Sequence, residues 1–228
     1  SSGRETLARV AAGAWAKARL AERGVRIRGF NREIAGLVGG GPDWDFVEAN
    51  PLRSGDPEVF PAQRAAVEAA RDAGDSVGAI CEVWIEGLPA GLGDPAFAKL
   101  EAELAHACLS IGAVKGIEFG AGFAAARMKG SEHNDPLGPE GPLKNDAGGL
   151  LGGITTGAPV SLRLAVKPTS SIRMPQVTLD VHGRPVEVRV EGRHDPCIAP
   201  RIVPVAEAMC ALVVYDAWLE QESVRGSE

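Results

Sequence analysis

The spacing of apolar residues in the strands constrains this chain most. Over residues 76–86, apolar side chains recur at every second position: Val77, Ala79, Cys81, Val83 and Ile85. Alternation of period two specifies a strand with one face on a core and one face wet. Val25-Arg26-Ile27-Arg28 repeats the pattern, and residues 114–119 and 160–166 read as further strands. Residues 177–181 and 186–190 form a hairpin about His182-Gly183. Strands of a parallel sheet, buried on both faces, read as unbroken apolar runs, so alternation favours antiparallel pairing.

Helices separate these strands. Ser1 or Ser2 could cap a helix over residues 4–23, with Leu7, Val10, Ala11, Ala14 and Ala18 on one face and Gly24 as the stop. Pro61 opens a second over 61–73, at a first-turn position where its missing N–H costs little. Residues 99–110 turn Leu100, Leu104, Ala107 and Cys108 inward. A long helix over 203–219 carries Val205, Met209, Leu212, Val213 and Ala217 on a largely buried face. The element order alone would suggest βαβ units, but the alternating strands make the class α+β. Residues 130–157, rich in Gly and Pro, read as mostly irregular. Residues 1–222 are taken as one domain and 223–228 as a polar, frayed tail.

Hydrophobic residues make up 45% of 228, enough for a real core. The net charge of −6 and pI near 5.4 argue against nucleic acid, which needs clustered Lys and Arg. A local basic pocket for a small anion is still compatible with an acidic surface. Cys81, Cys108, Cys197 and Cys210 form no CxxC pair and lie in or beside apolar stretches. They read as buried, reduced thiols in a reducing compartment, with no metal-ligand spacing. The first residues hold no apolar signal-peptide core, and no apolar run reads as long enough to cross a bilayer. The sequence does not begin with Met, which leaves a processed, cut or partial chain open.

Four segments could carry chemistry. Lys167-Pro168-Thr169-Ser170-Ser171-Ile172 puts a cation, a rigid turn and three hydroxyls directly after an apolar strand. That combination suits a phosphate or a flavin edge, or is an ordinary polar turn. Gly148-Gly149-Leu150-Leu151-Gly152-Gly153 lets backbone approach a flat ligand, or is simply flexible. It is neither a Walker A loop nor a dinucleotide fingerprint. In Gly192-Arg193-His194-Asp195-Pro196-Cys197, Arg193 could fork onto a phosphate or carboxylate. Asp195 there could accept a proton or orient His194, the plainer reading being a local ion pair. Ser131-Glu132-His133-Asn134-Asp135 has the composition of an active-site loop and equally of a solvated one. His106 and His182 read as structural.

Taken in order, these segments resemble the chorismate synthase family. Ser1-Ser2-Gly3-Arg4-Glu5-Thr6 is similar to the end of its Arg-Ser-Ser-Ala-Arg-Glu-Thr signature. Asn50-Pro51, Gly74-Asp75-Ser76, Gly87-Leu88-Pro89, Ala113-Val114-Lys115-Gly116 and Gly130-Ser131-Glu132-His133-Asn134-Asp135 follow. The double glycines, Lys167–Ile172, Gly192–Cys197 and Pro204–Met209 complete a series that covers nearly the whole chain.

The resemblance implies a sandwich of helices between antiparallel sheets, usually assembled as a cytoplasmic homotetramer with no membrane or nucleic-acid partner. It implies reduced FMN as cofactor, with NADPH the reductant in some members. The substrate it implies is 5-enolpyruvylshikimate 3-phosphate, which loses phosphate and a ring proton in a 1,4-anti sense to give chorismate. Carried over by position, the FMN contacts are Ser1, Ser2, Gly112, Ala113, Gly152, Lys167, Pro168, Thr169, Ser170, Ser171 and Arg193. Arg4 and Arg193 face the substrate, Asp195 assists deprotonation, and no metal is implied. The family's N-terminal third, with two acid–base histidines, is expected to lie outside this chain. Asp146 stands where the family usually has a histidine, and Gly3 and Gly112 are smaller departures. A catalytically incomplete FMN- or phosphate-binding fragment is the alternative reading.

Overall fold

The computed structural model describes residues 3–139 and 141–225. A 3-10 turn, Gly3–Glu5, leads into α1 (Thr6–Ala21), β1 (Arg26–Ile34), β2 (Leu37–Val38), α2 (Trp44–Ala49) and α3 (Phe60–Asp72). Next come β3 (Ala79–Glu86), α4 (Leu100–Leu109), β4 (Val114–Phe119), a 3-10 stretch Gly122–Arg127 and the single turn α5 (Gly130–His133). Four two-residue strands follow: β5 (Leu137–Gly138), β6 (Gly141–Pro142), β7 (Leu150–Leu151) and β8 (Ile154–Thr155). The chain ends with β9 (Val160–Val166), the hairpin β10 (Gln176–Leu179) and β11 (Pro185–Val188), and α6 (Ala199–Arg225).

The main sheet has the order β2-β1-β3-β9-β4, and every neighbouring pair is antiparallel. The fold is therefore α+β, as the alternation required. Val83 of β3 lies opposite Gly29 and Leu162, and Cys81 opposite Asn31 and Leu164. On this inner face Cys81, Val83, Ile85, Leu162 and Leu164 are fully buried under α1, α4 and α6. The outer face is charged, and α2 covers part of it, where Phe30 is fully buried against Trp44 and Trp84. Ion pairs cross it from Arg28 to Glu86 (2.8 Å), Arg32 to Glu82 (3.4 Å) and Arg163 to Glu118 (3.1 Å). Opposite charges on neighbouring strands are the favourable arrangement for such a face.

α1 differs from its sequence reading in the face it buries. Gly13, Ala16 and Leu20 point inward, whereas Leu7, on the expected apolar stripe, is 77% exposed. The cause is helix contact. Gly13 lies against α6, where an added Cβ would stand 2.3 Å from the Ala208 Cβ. Two helices that approach this closely need small residues at the crossing, and hydrophobicity alone does not reveal which face those occupy. Ser1 and Ser2, read as cap residues, lie outside the described residues.

α6 runs from Ala199 to Arg225, longer at both ends than expected. At that length it is long and apolar enough to cross a bilayer, which the sequence reading had not anticipated. Within the fold its Val203, Ala206, Cys210 and Val214 belong to the core. α2 is a short helix between β2 and α3. Asp43 caps it, its Oδ1 accepting from the backbone N–H groups of Asp45 and Phe46 (both 3.1 Å).

Candidate functional site

The last residue of β9, Val166, pairs with Ala79 on one side and Val114 on the other. The chain then leaves the sheet through Lys167–Ser171. The Lys167 N–H donates to the Ala113 carbonyl at 2.9 Å, which joins two of the segments expected to bind FMN. Ala113 has φ of 75°, a conformation uncommon outside glycine that draws attention to the turn. Gly112 beside it is exposed, with open space where a side chain would stand.

Residues 74–78 bind this turn to the Arg193–Asp195 corner. Ser76 Oγ donates to the Thr169 carbonyl (2.6 Å), the Val77 N–H to the Pro196 carbonyl (2.8 Å), and the Arg173 N–H to the Gly74 carbonyl (2.9 Å). Gly78 makes the approach possible: a Cβ there would lie 2.8 Å from the Val166 carbonyl oxygen and 3.2 Å from Pro168 Cδ. Thr169 Oγ1 is buried in this turn without a hydrogen-bond partner. Buried hydroxyls are normally satisfied, so this orphan marks a place where a ligand group would be accommodated.

Asp195 is held by cations. Arg201 reaches it through Nε at 3.1 Å and Nη2 at 3.2 Å, and Arg193 Nη1 lies 3.6 Å away. It does not orient His194, whose Nε2 sits 3.1 Å from the Val190 carbonyl oxygen instead. Arg193 projects into solvent with its side chain 80% exposed, available to an anion. Arg4 is exposed in the 3-10 turn before α1. Cys197 closes the corner underneath, and burial pushes its thiol pKa up.

Two expected segments lie elsewhere. Gly152 occupies the turn between β7 and β8, a region tied to the other end of the sheet. The Leu100 N–H donates to the Gly153 carbonyl (2.9 Å), and Gly149 packs on the Pro159 backbone before β9 begins. The length of β9, roughly 20 Å at 3.3 Å per residue, separates this region from Lys167. Gly152 and Lys167 are therefore not brought together within one chain. The loop holding Ser131–Asp135 is also at that end. The Asp135 carboxylate accepts from the N–H groups of Asp146 and Ala147 (both 2.9 Å), which fixes the loop rather than a ligand. Lys144 pairs with Asp146, the residue standing in the family's histidine position.

Above the Lys167 turn, on the outer face of the sheet, is a concavity of about 470 Å³ whose lining includes Glu33, Ser76, Lys115 and Lys167. Ser76, Gly78, Lys115 and Arg201 are not among the site residues expected from sequence, although Ser76 and Lys115 lie in segments that carry the resemblance. Ser76 and Gly78 were absorbed into a strand, and Arg201 carries no local signal beyond lying six residues from Asp195. Among the described residues no group of three or more His, Cys, Asp or Glu is arranged for a metal ion.

The likeness to known proteins covers this whole frame. A chorismate synthase from Syntrophobacter fumaroxidans (strain DSM 10017 / MPOB) is 52% identical over 224 residues, 98% of this chain and 64% of that protein. A crystal structure of chorismate synthase matches with a TM-score of 0.80 at 31% identity, covering 96% of this chain and 64% of that one. The chain thus spans just under two thirds of the length of both. Residues 1–219 match the family described as Chorismate synthase, and the chain belongs to that family.

Proposed function

We propose that this chain supplies the flavin- and phosphate-binding part of a chorismate synthase. That enzyme converts 5-enolpyruvylshikimate 3-phosphate into chorismate and phosphate by 1,4-anti elimination, in the shikimate pathway of aromatic amino acid biosynthesis. Family membership supports the reading, and the observation that carries it is the bracket of residues 74–78, which ties the Lys167–Ser171 turn to the Arg193–Asp195 corner.

The residues at this end suit FMN. The orphan Thr169 Oγ1, the hydroxyls of Ser170 and Ser171, and the Lys167 ammonium match a phosphorylated, hydrogen-bonding ligand. Gly112, Ala113 and Pro168 would line the same turn, and Ser1 and Ser2 remain proposed contacts. Reduced FMN held by these residues would supply electron density for the departure of phosphate. Arg193 and Arg4 would hold the anionic substrate, since cations placed in advance stabilise a phosphate leaving group without reorganising. Asp195 would assist removal of the ring proton, with Arg201 fixing its carboxylate. Gly152, at the far end of β9, would reach such a site only from a second copy in the proposed homotetramer. We take residues 1–222 as one domain, the setting as cytoplasmic, and NADPH as a candidate reductant.

The test is an anaerobic assay of the purified chain with reduced FMN and 5-enolpyruvylshikimate 3-phosphate, following chorismate absorbance. It is run alone and with a polypeptide carrying the family's N-terminal third. Turnover in either mixture supports the proposal. FMN binding without turnover in both would identify the chain as a binding fragment. Neither binding nor turnover would refute the reading.

A further inference from the structure

We propose that Lys115, together with Lys167, receives a phosphate monoester in the concavity on the outer face of the sheet. The inference rests on the function proposed above and adds a ligand-binding residue to it.

β9 alternates strictly, with Val160, Leu162, Leu164 and Val166 buried. Lys167 continues the series on the outer face, beyond Ala165. Gly116 of β4 pairs with Ala165, and the register slips between Val114 and Gly116. Lys115 is the extra residue at this bulge. A bulge re-aims the side chain it inserts, and here Lys115 and Lys167 line one concavity of about 470 Å³. Lys115 is exposed and forms no ion pair among the described residues. The Lys167 ammonium has only a long contact, 3.4 Å, to its neighbour's carbonyl. Elsewhere on this face Arg28, Arg32 and Arg163 are matched, with Glu86, Glu82 and Glu118 respectively. The lining here holds two lysines and a single carboxylate, Glu33, which also forms no ion pair among the described residues. The excess is one positive charge beside the Ser76 hydroxyl, in a recess large enough for a phosphate group and part of the molecule that carries it. A phosphate monoester anion suits a surplus of positive charge, with the two lysines as its cations and the carboxylate opposing it.

A competing account exists for Lys115. Lysines on edge strands discourage sheet-to-sheet aggregation, and β4 is the edge of this sheet. The two accounts predict different measurements. Phosphate esters reach the site as the 5′-phosphate of FMN or as a phosphorylated shikimate, so both are used as probes.

Binding of oxidised FMN, of riboflavin and of shikimate 3-phosphate is measured for the natural protein and for Lys115→Ala, Glu33→Gln and, as a remote control, Lys129→Ala. Lys115→Ala is expected to weaken one phosphate ester roughly tenfold, the worth of one charge-assisted hydrogen bond. Riboflavin, which has no phosphate, should be unaffected. Glu33→Gln should tighten the same ester, and Lys129→Ala should change nothing. Loss confined to FMN assigns the recess to the cofactor, and loss confined to shikimate 3-phosphate assigns it to the substrate. If Lys115→Ala binds both esters as the natural protein does, the inference is wrong, and increased aggregation of that variant would identify an edge guard. If the natural protein binds neither ester, the function proposed above fails along with it.

Discussion

Gly13→Ala tests the contact that organises the helix layer. An added Cβ would stand 2.3 Å from the Ala208 Cβ, 2.4 Å from its Cα and 2.7 Å from its carbonyl oxygen. Carbon atoms pack at about 3.5–4.0 Å, so α1 and α6 would have to separate by roughly 1.5 Å. No rotamer change relieves this, because the obstruction is helix backbone. Overpacking of this kind costs about 1–3 kcal/mol. A displacement of two helices that share a core belongs near the upper end of that range. Alanine regains about 1 kcal/mol of helix propensity over glycine. The expected net loss is therefore about 2 kcal/mol, or a fall in Tm of roughly 4–8 °C for a chain of this size. Urea unfolding followed by far-UV circular dichroism measures it. Gly130→Ala is the comparison, since nothing lies within 4 Å of the Cβ it would add, and it should be neutral or slightly stabilising. A Gly13→Ala protein as stable as the natural one would refute the argument, because propensity would then dominate and the close crossing could not be present.

Further expectations concern the site and the core. Gly78→Ala should push residues 74–78 away from Val166 and Pro168, lowering stability by about 1–2 kcal/mol; FMN fluorescence quenching should show weaker binding than in Gly130→Ala. Arg201→Gln removes an exposed partner of Asp195, so unfolding should shift by less than about 1 kcal/mol, while any chorismate formation in the complemented assay falls more steeply. Burial raises the Cys81 thiol pKa, and the Cys108 contact at 3.9 Å together with burial raises that of Cys210. Both thiols are neutral in folded and unfolded protein well below pH 9.0, the ordinary value, so their contribution is complete there. Above it the unfolded thiols ionise first and stability should drop by about 1.4 kcal/mol per thiol per pH unit. A Cys81→Ala, Cys210→Ala protein should show a shallower decline between pH 9 and 10.5, and an unchanged slope would exclude this origin. Amide exchange should be fastest in β10 and β11, where Val177 and Leu179 are 77% and 63% exposed, since an uncovered two-stranded hairpin is marginal in water.

Alternation in β3, β9 and the start of β1 determined from sequence that the sheet is antiparallel and the fold α+β. That signal is local: each residue's face follows from its neighbours two positions away. The boundaries of β4 and β9 were legible for the same reason, as was the cation-and-hydroxyl turn at Lys167–Ser171. The buried face of α1 was not legible. It depends on where α6 lies, and Gly13 carries no hydrophobic signal until Ala208 is known to stand against it. Nor could sequence separate Gly152 from Lys167. Both looked like ligand-binding segments, but the direction of β9 puts them at opposite ends of the sheet. The partners of the site were likewise decided in three dimensions. Ser76 meets Thr169 across 93 positions of chain, and Lys115, at the bulge in β4, lines the same recess as Lys167. Residue type and spacing determine what a segment can offer. Strand direction, register and the distance between backbones determine which offers combine into a site.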